Sequence, residues 1–62
     1  MIVLTKLGRD EERYVLNSEL IETIEEKPDT IIRLVNGKHF IVAESAADVV
    51  KKIVAYKRRI HR

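Results

Sequence analysis

The sequence offers few side chains that could carry out a reaction. A serine acts as a nucleophile only with a nearby base and a third group that orients that base. Ser18 follows Asn17 at the end of a predicted strand, and Ser45 stands just before an apolar helical stretch, with Asp48 three residues later. The second spacing is typical of a helix N-cap. We therefore interpret both serines as structural, and the chain has no cysteine that could replace them.

The histidines and glutamates of the chain also lack the spacing that a metal site or a pair of catalytic acids requires. His39 lies in a predicted strand and His61 is the penultimate residue, so the two lack the close spacing of a metal site. Adjacent glutamates occur at 11–12 and 25–26, and neighbours in a strand point to opposite faces. The sequence therefore predicts no catalytic residue, no metal site and no cofactor, and we expect a protein that is not an enzyme.

Positive charge is concentrated toward the C-terminus. Residues 1–31 hold four Lys/Arg and eight Asp/Glu, a net −4, whereas residues 32–62 hold eight and two, a net +6. The candidate partner-binding surface consists of Lys51, Lys52, Lys57, Arg58, Arg59 and Arg62. These cations could bind a protein, nucleic-acid phosphates or an anionic membrane surface, or they could only complement the negative end of a helix dipole. A small nucleic-acid-binding regulator is the alternative function, less favoured because aromatic residues for base stacking are scarce.

Apolar patterning and turn signals define the elements that position these residues. We predict strands at about 1–7, 13–17, 20–27, 30–35 and 38–43, and a helix at about 46–60. A polar loop, "GRDEE", separates the first two strands. The expected fold is α+β: one domain, residues 1–62, with a small twisted, mainly antiparallel sheet of about five short strands and one C-terminal helix packed on it.

Two turns shape the centre of the chain. Pro28 and Asp29 suit the middle of a type I turn, and Asn36-Gly37 suits a two-residue type I′ hairpin turn. A two-residue turn would place Ile32 opposite Ile41 and Leu34 opposite His39. The predicted faces are Ile32, Leu34, Ile41 and Ala43 with His39 on one side, and Ile31, Val35, Phe40 and Val42 with Arg33 and Lys38 on the other.

Both faces of this predicted hairpin are largely apolar. One helix can cover only one of them, so the other is expected to meet the N-terminal hairpin, a second copy of the chain or another protein. A chain of 62 residues buries only about 60% of its unfolded surface, which makes self-association an additional source of stability. We therefore expect a homo-oligomer. The longest apolar runs are far shorter than the roughly 20 residues of a membrane span, and the expected location is the cytoplasm.

The order of the motifs resembles the FlbD family of small bacterial flagellar proteins, also called SwrD. The resemblance is carried by "YVLN", "LIETIE", "PDT", "IIRLVNGK", "ES" and "DVVKKI", and it covers nearly the whole chain. It implies a cytoplasmic accessory of flagellar motility and swarming, near the flagellar base, that acts on a motor or regulatory component without catalysis. Family members tend to have a compact Asn-Gly turn where this chain has "LGRDEER", a difference that is not expected to change the fold.

Overall fold

The structure, a computed structural model, describes residues 1–8 and 12–60. In chain order, the elements are β1 (Ile2–Thr5), β2 (Arg13–Leu16), a short 3₁₀ helix (Ser18–Leu20), β3 (Ile21–Glu26), β4 (Thr30–Leu34), β5 (His39–Val42) and α1 (Ala46–Ile60). The α+β prediction is confirmed. Most of the predicted "GRDEE" loop, together with His61 and Arg62, lies outside the described residues.

Within the described residues, the strands form two antiparallel sheets rather than the single sheet that the sequence predicts. One sheet is the β1–β2 hairpin and the other has the order β3-β4-β5. They meet where the chain continues past β1: Lys6 pairs with Val42, and the Ala43 N–H donates to the Thr5 carbonyl at 2.8 Å. The division arises because β1 runs beside β5 only at this one corner, so the ladder between the two sheets is a single bridge.

The core lies between the inner faces of both sheets and the helix. Its buried members are Ile2, Leu4, Leu16, Ile32, Leu34, Val42 and Val49. Strand residues at alternate positions share a face, which explains why Ile2 and Leu4 are both buried while Val3 is exposed. The helix contributes Val49, with Ile53 and Tyr56 half-buried beside it. These three positions follow the 3.6-residue period that the sequence shows.

The pairing of β4 with β5 differs from the predicted register by one residue. Ile32 lies opposite Phe40, and Ile31 lies opposite Ile41. The turn has three residues rather than two: the Gly37 N–H donates to the Leu34 carbonyl at 3.0 Å, and the Leu34 N–H donates to the Lys38 carbonyl at 2.8 Å. Gly37 has a φ of 89°, as expected for a type I turn followed by a glycine bulge.

This register exchanges the two faces of β5 relative to β4. A one-residue slip moves every side chain of a strand to the opposite face. Phe40 and Val42 therefore pack in the core with Ile32, whereas Ile41 and His39 are exposed on the other side. The predicted grouping of Ile41, Ala43 and His39 with Ile32 and Leu34 is wrong.

The proline turn is also different from the prediction. Glu26 pairs with Thr30, so the connection between β3 and β4 contains three residues and not the two central residues of a type I turn. The Lys27–Pro28 peptide bond is cis, as in turns in which proline is the second central residue. Pro28 and Asp29 thus lie in a turn, as predicted, but this turn is not of type I.

Two oxygens from different parts of the chain receive the first N–H groups of α1. Ser45 Oγ accepts the N–H of Asp48 at 3.1 Å, the bond that an N-cap makes. The Glu26 carboxylate, at the end of β3, accepts the N–H of Ala46 at 2.6 Å. An anion is favourable at this end of a helix. The helix is therefore attached to the three-stranded sheet at its N-terminus as well as through its apolar side.

Candidate functional site

An apolar surface remains exposed on the side of the strands that faces away from the core. We call it the outer sheet face and define it by Val3, Leu7, Val15, Ile31 and Ile41. Val3 is paired with Val15, and Ile31 with Ile41. The Leu7 N–H donates to the Ile41 carbonyl at 3.1 Å, which places Leu7 beside Ile41. Four of the five residues are exposed, and Val15 is the most exposed at 65%. On β4 and β5 the same side also carries the exposed pair Arg33 and His39, so this hairpin face is only partly apolar and not largely apolar as the sequence predicts.

The predicted basic surface is not one surface. Successive residues of a helix are rotated by about 100°. Lys51 and Arg58 consequently lie roughly opposite the buried Val49, on the outside of α1, whereas Lys52 and Arg59 lie on one flank. Lys57 lies on the other flank. All five are exposed, and the sixth predicted residue, Arg62, lies outside the described residues.

One flank of the helix and the start of β1 enclose a groove, which we call the β1–α1 groove. Its volume is about 310 Å³, and its lining residues are Met1, Ile2, Val3, Lys52, Ala55, Tyr56 and Arg59. Lys52 Nζ donates to the carbonyl of Val3 at 2.9 Å. Two of the six predicted cations are therefore brought together on an apolar wall, and one of them contacts the backbone of β1.

Glu44 connects the same strand to the start of the helix. The Thr5 N–H donates to both carboxylate oxygens of Glu44, at 2.9 and 3.0 Å. Partial burial acts to raise the pKa of Glu44, but hydrogen bonds from Thr5 and from its own N–H, together with the positive charge of Lys52, outweigh it. The pKa of Glu44 therefore lies below its ordinary value of 4.5. This carboxylate is bound in its ionised form.

The Glu44 contact predicts an acid-sensitive part of the folding free energy. Because the folded-state pKa is lowered, its contribution is present above pH 4.5 and is lost as the pH falls through the folded-state value. Glu44→Gln keeps an oxygen that can accept the Thr5 N–H but removes the charge. Because the carboxylate is only partly buried and is screened by water, we expect the variant to be less stable by at most about 1 kcal/mol at pH 7 and by less at pH 3, measured by urea unfolding at both values. An equal difference at both pH values would contradict the assignment.

The remaining sequence candidates are separated in the structure. His39 is exposed and lies opposite Arg33. Glu25 lies 3.9 Å from Arg33 Nε, while its neighbour Glu26 caps the helix. The adjacent glutamates thus point to different partners, as the alternation of a strand predicts.

Three contacts were not predictable from local sequence. Glu26 binds Ala46 across 20 positions, Glu44 binds Thr5 across 39, and Lys52 binds Val3 across 49. Local patterns report on neighbours within a turn or a hairpin, and each of these contacts joins elements that only the tertiary fold brings together. Of these three contacts, only that of Glu44 had a signal in the local sequence, namely a charged residue directly before the N-cap.

The comparison with known families decides the identity. A family model described as flagellar and swarming motility proteins, FlbD, matches residues 1–61. The chain belongs to the FlbD family. The resemblance carried by the motif order is thereby confirmed. No curated protein and no solved structure matches the chain.

Membership in the FlbD family gives the protein a role in flagellar and swarming motility, in a family that is generally not enzymatic. Within residues 1–8 and 12–60, no helix is long and apolar enough to cross a membrane. In the part of this FlbD chain that the structure describes, the exposed surfaces include the outer sheet face, the basic outside of α1 and the β1–α1 groove.

Proposed function

We propose that the protein is a non-enzymatic accessory of flagellar and swarming motility that acts by binding a component of the flagellar motor or of its regulation. The outer sheet face is the observation that supports this proposal. Exposed apolar side chains on paired positions of two sheets, with Leu7 between them, form the kind of patch that marks a protein-binding site. Family membership supplies the process in which that binding is used.

The proposal includes a location and an assembly state. The protein acts in the cytoplasm near the flagellar base, and it self-associates. Self-association is supported by the small core, which has seven buried apolar residues in the described ranges 1–8 and 12–60, and by the exposed face beside it. Light scattering over a dilution series measures the assembly state directly, and a constant monomer mass at every concentration would remove this part of the proposal.

Val15→Lys tests whether the outer sheet face is used. Val15 is 65% exposed, so a lysine can extend into solvent and the fold is expected to survive, with a melting temperature within a few degrees of the parent. A charge on this exposed patch opposes desolvation of the bound surface. We expect a strong loss of swarming, measured as colony expansion on soft agar, when the variant replaces the chromosomal copy.

The matched control is Val35→Lys. Val35 is 60% exposed but lies in the turn after β4 and is not one of the five residues of the outer sheet face. It should leave swarming unchanged. Equal defects in both variants at equal protein levels would show that the outer sheet face has no special role. Normal swimming and swarming in a strain that lacks the gene would contradict the proposed function as a whole.

The structure offers little support for the alternative of nucleic-acid binding. The cations of α1 are divided among three sides of the helix rather than aligned in one stripe. The three aromatic side chains, Tyr14, Phe40 and Tyr56, pack against the core and are poorly placed to stack on bases.

A further inference from the structure

We propose that the β1–α1 groove binds an extended acidic segment of a partner protein, which lies alongside Val3 and places carboxylates against Lys52 and Arg59. The inference rests on the proposed function, because it specifies the chemistry of the partner. Three properties of the groove support it: the open side of β1, the arrangement of charge and the apolar wall.

The backbone of β1 is open on the side that faces the groove. In an antiparallel strand, the N–H and C=O of one residue point to the same side, and alternate residues share that side. Thr5 uses its N–H and C=O for Glu44 and Ala43, on the side away from β2. Val3 therefore points both of its backbone groups to that side too, where Lys52 contacts its carbonyl.

No strand occupies this side of Val3 in the described part of the chain. β5 ends at Val42, and the chain then enters α1 at Ala46, so pairing with β5 stops near Thr5. An extended peptide can add hydrogen bonds at such an open strand, with side chains alternating between two directions. In binding of this kind, main-chain hydrogen bonds provide the affinity and side-chain contacts provide the specificity.

The charge in the groove selects for acidic side chains. Lys52 and Arg59 lie on the same flank of α1, seven residues apart, and the seven lining residues include no acid. Carboxylates on alternate residues of an extended peptide are about 7 Å apart, within reach of both long side chains. Arginine can bind a carboxylate through two parallel hydrogen bonds. Lys52 has three donors, so it can keep its bond to Val3 while it binds a carboxylate.

The apolar wall of the groove favours a peptide that also carries apolar residues. Met1 and Val3 are exposed large apolar residues that line the groove on its β1 side, and the Val3 side chain points away from the core. Residues between the acids of an extended peptide point the other way from the carboxylates, so apolar residues there have a surface on which to pack. The best partner segment thus alternates acidic and apolar residues. A flat lipid surface matches a concave groove with two cations less well than such a segment does.

A titration of the full-length, ¹⁵N-labelled protein tests the proposal. The probe is the capped peptide Val-Glu-Val-Glu-Val, and Val-Lys-Val-Lys-Val is its charge-reversed control. We expect the acidic peptide to shift the amide resonance of Val3 and those of residues near Lys52 and Arg59, and the basic peptide to leave them unchanged. Added salt should weaken the binding.

Arg59→Gln identifies the groove as the site, with Arg58→Gln as its matched control. Both residues are exposed on the same turn of the helix and both changes remove one positive charge, but only Arg59 lines the groove. Loss of a charge-assisted contact is expected to weaken peptide binding about tenfold in Arg59→Gln. Arg58→Gln should stay within about twofold, and both variants should melt like the parent.

Several results would overturn the proposal. The first is that the amide resonances do not shift at a millimolar concentration of the acidic peptide. The second is that the basic peptide binds equally well, and the third is that both arginine variants weaken peptide binding equally. Arg59-dependent binding of phosphatidylglycerol vesicles or of polyuridylic acid without peptide binding would assign the groove to a membrane or to RNA. If Arg59→Gln swarms normally while Val15→Lys does not swarm, the groove is rejected as the partner-binding site and the proposed function stands. A fully motile gene deletion would reject the proposed function, whereas the peptide titration judges the groove independently.

Discussion

Val49→Asp should leave the protein unfolded at 25 °C. Val49 is 0% exposed and is the residue through which α1 enters the core. The change removes the burial of a valine, worth about 1.5–3 kcal/mol, and forces a carboxylate into an apolar site without a partner. A chain of this length has a total stability of only about 3–9 kcal/mol. The loss of valine burial and the cost of the buried charge together are enough to exhaust it.

Val50→Asp is the matched control for this experiment. Val50 is the next residue of the same helix and is 49% exposed, so the same carboxylate remains in water. Circular dichroism should show a cooperative melt for Val50→Asp and none for Val49→Asp. Ile53→Asp should fall between them, because Ile53 is only half-buried. A folded Val49→Asp variant would mean that α1 does not pack on the sheets as described.

Local sequence was sufficient for the elements and the class of the fold. Alternating and helical apolar patterns depend on neighbours along the chain, so the strands and α1 could be located within a few residues of their observed bounds. The N-cap at Ser45 has the same origin, because its bond to Asp48 spans three residues. The order of these local motifs was also sufficient to indicate the FlbD family.

The candidate surfaces depend on information that local sequence does not carry. Whether Lys52 and Arg59 form a site depends on where β1 lies relative to α1, and the residues concerned are far apart in the chain. Asn36-Gly37 could form either a two-residue turn or the end of a three-residue turn, since both use a glycine with positive φ. That choice decides which of Ile41 and Val42 is buried.

The register of the β4–β5 hairpin can be tested by comparing Val42→Ala with Ile41→Ala. In the structure Val42 is 2% exposed and Ile41 is 41% exposed. Val42→Ala removes fewer carbons but leaves a cavity in the core, so it should reduce the free energy of unfolding by about 2 kcal/mol. Ile41→Ala removes more carbons from a surface that water already reaches, and we expect a loss below about 1 kcal/mol.

The order of these two losses depends on the turn. A two-residue Asn36-Gly37 turn would put Ile41 beside Ile32 on the core side and make Ile41→Ala the more damaging change. Urea unfolding of the two variants under identical conditions therefore distinguishes the registers, provided that the slope of each transition is unchanged. If Ile41→Ala instead weakens swarming while the fold stays intact, Ile41 acts through the outer sheet face, because the same register that buries Val42 presents Ile41 there.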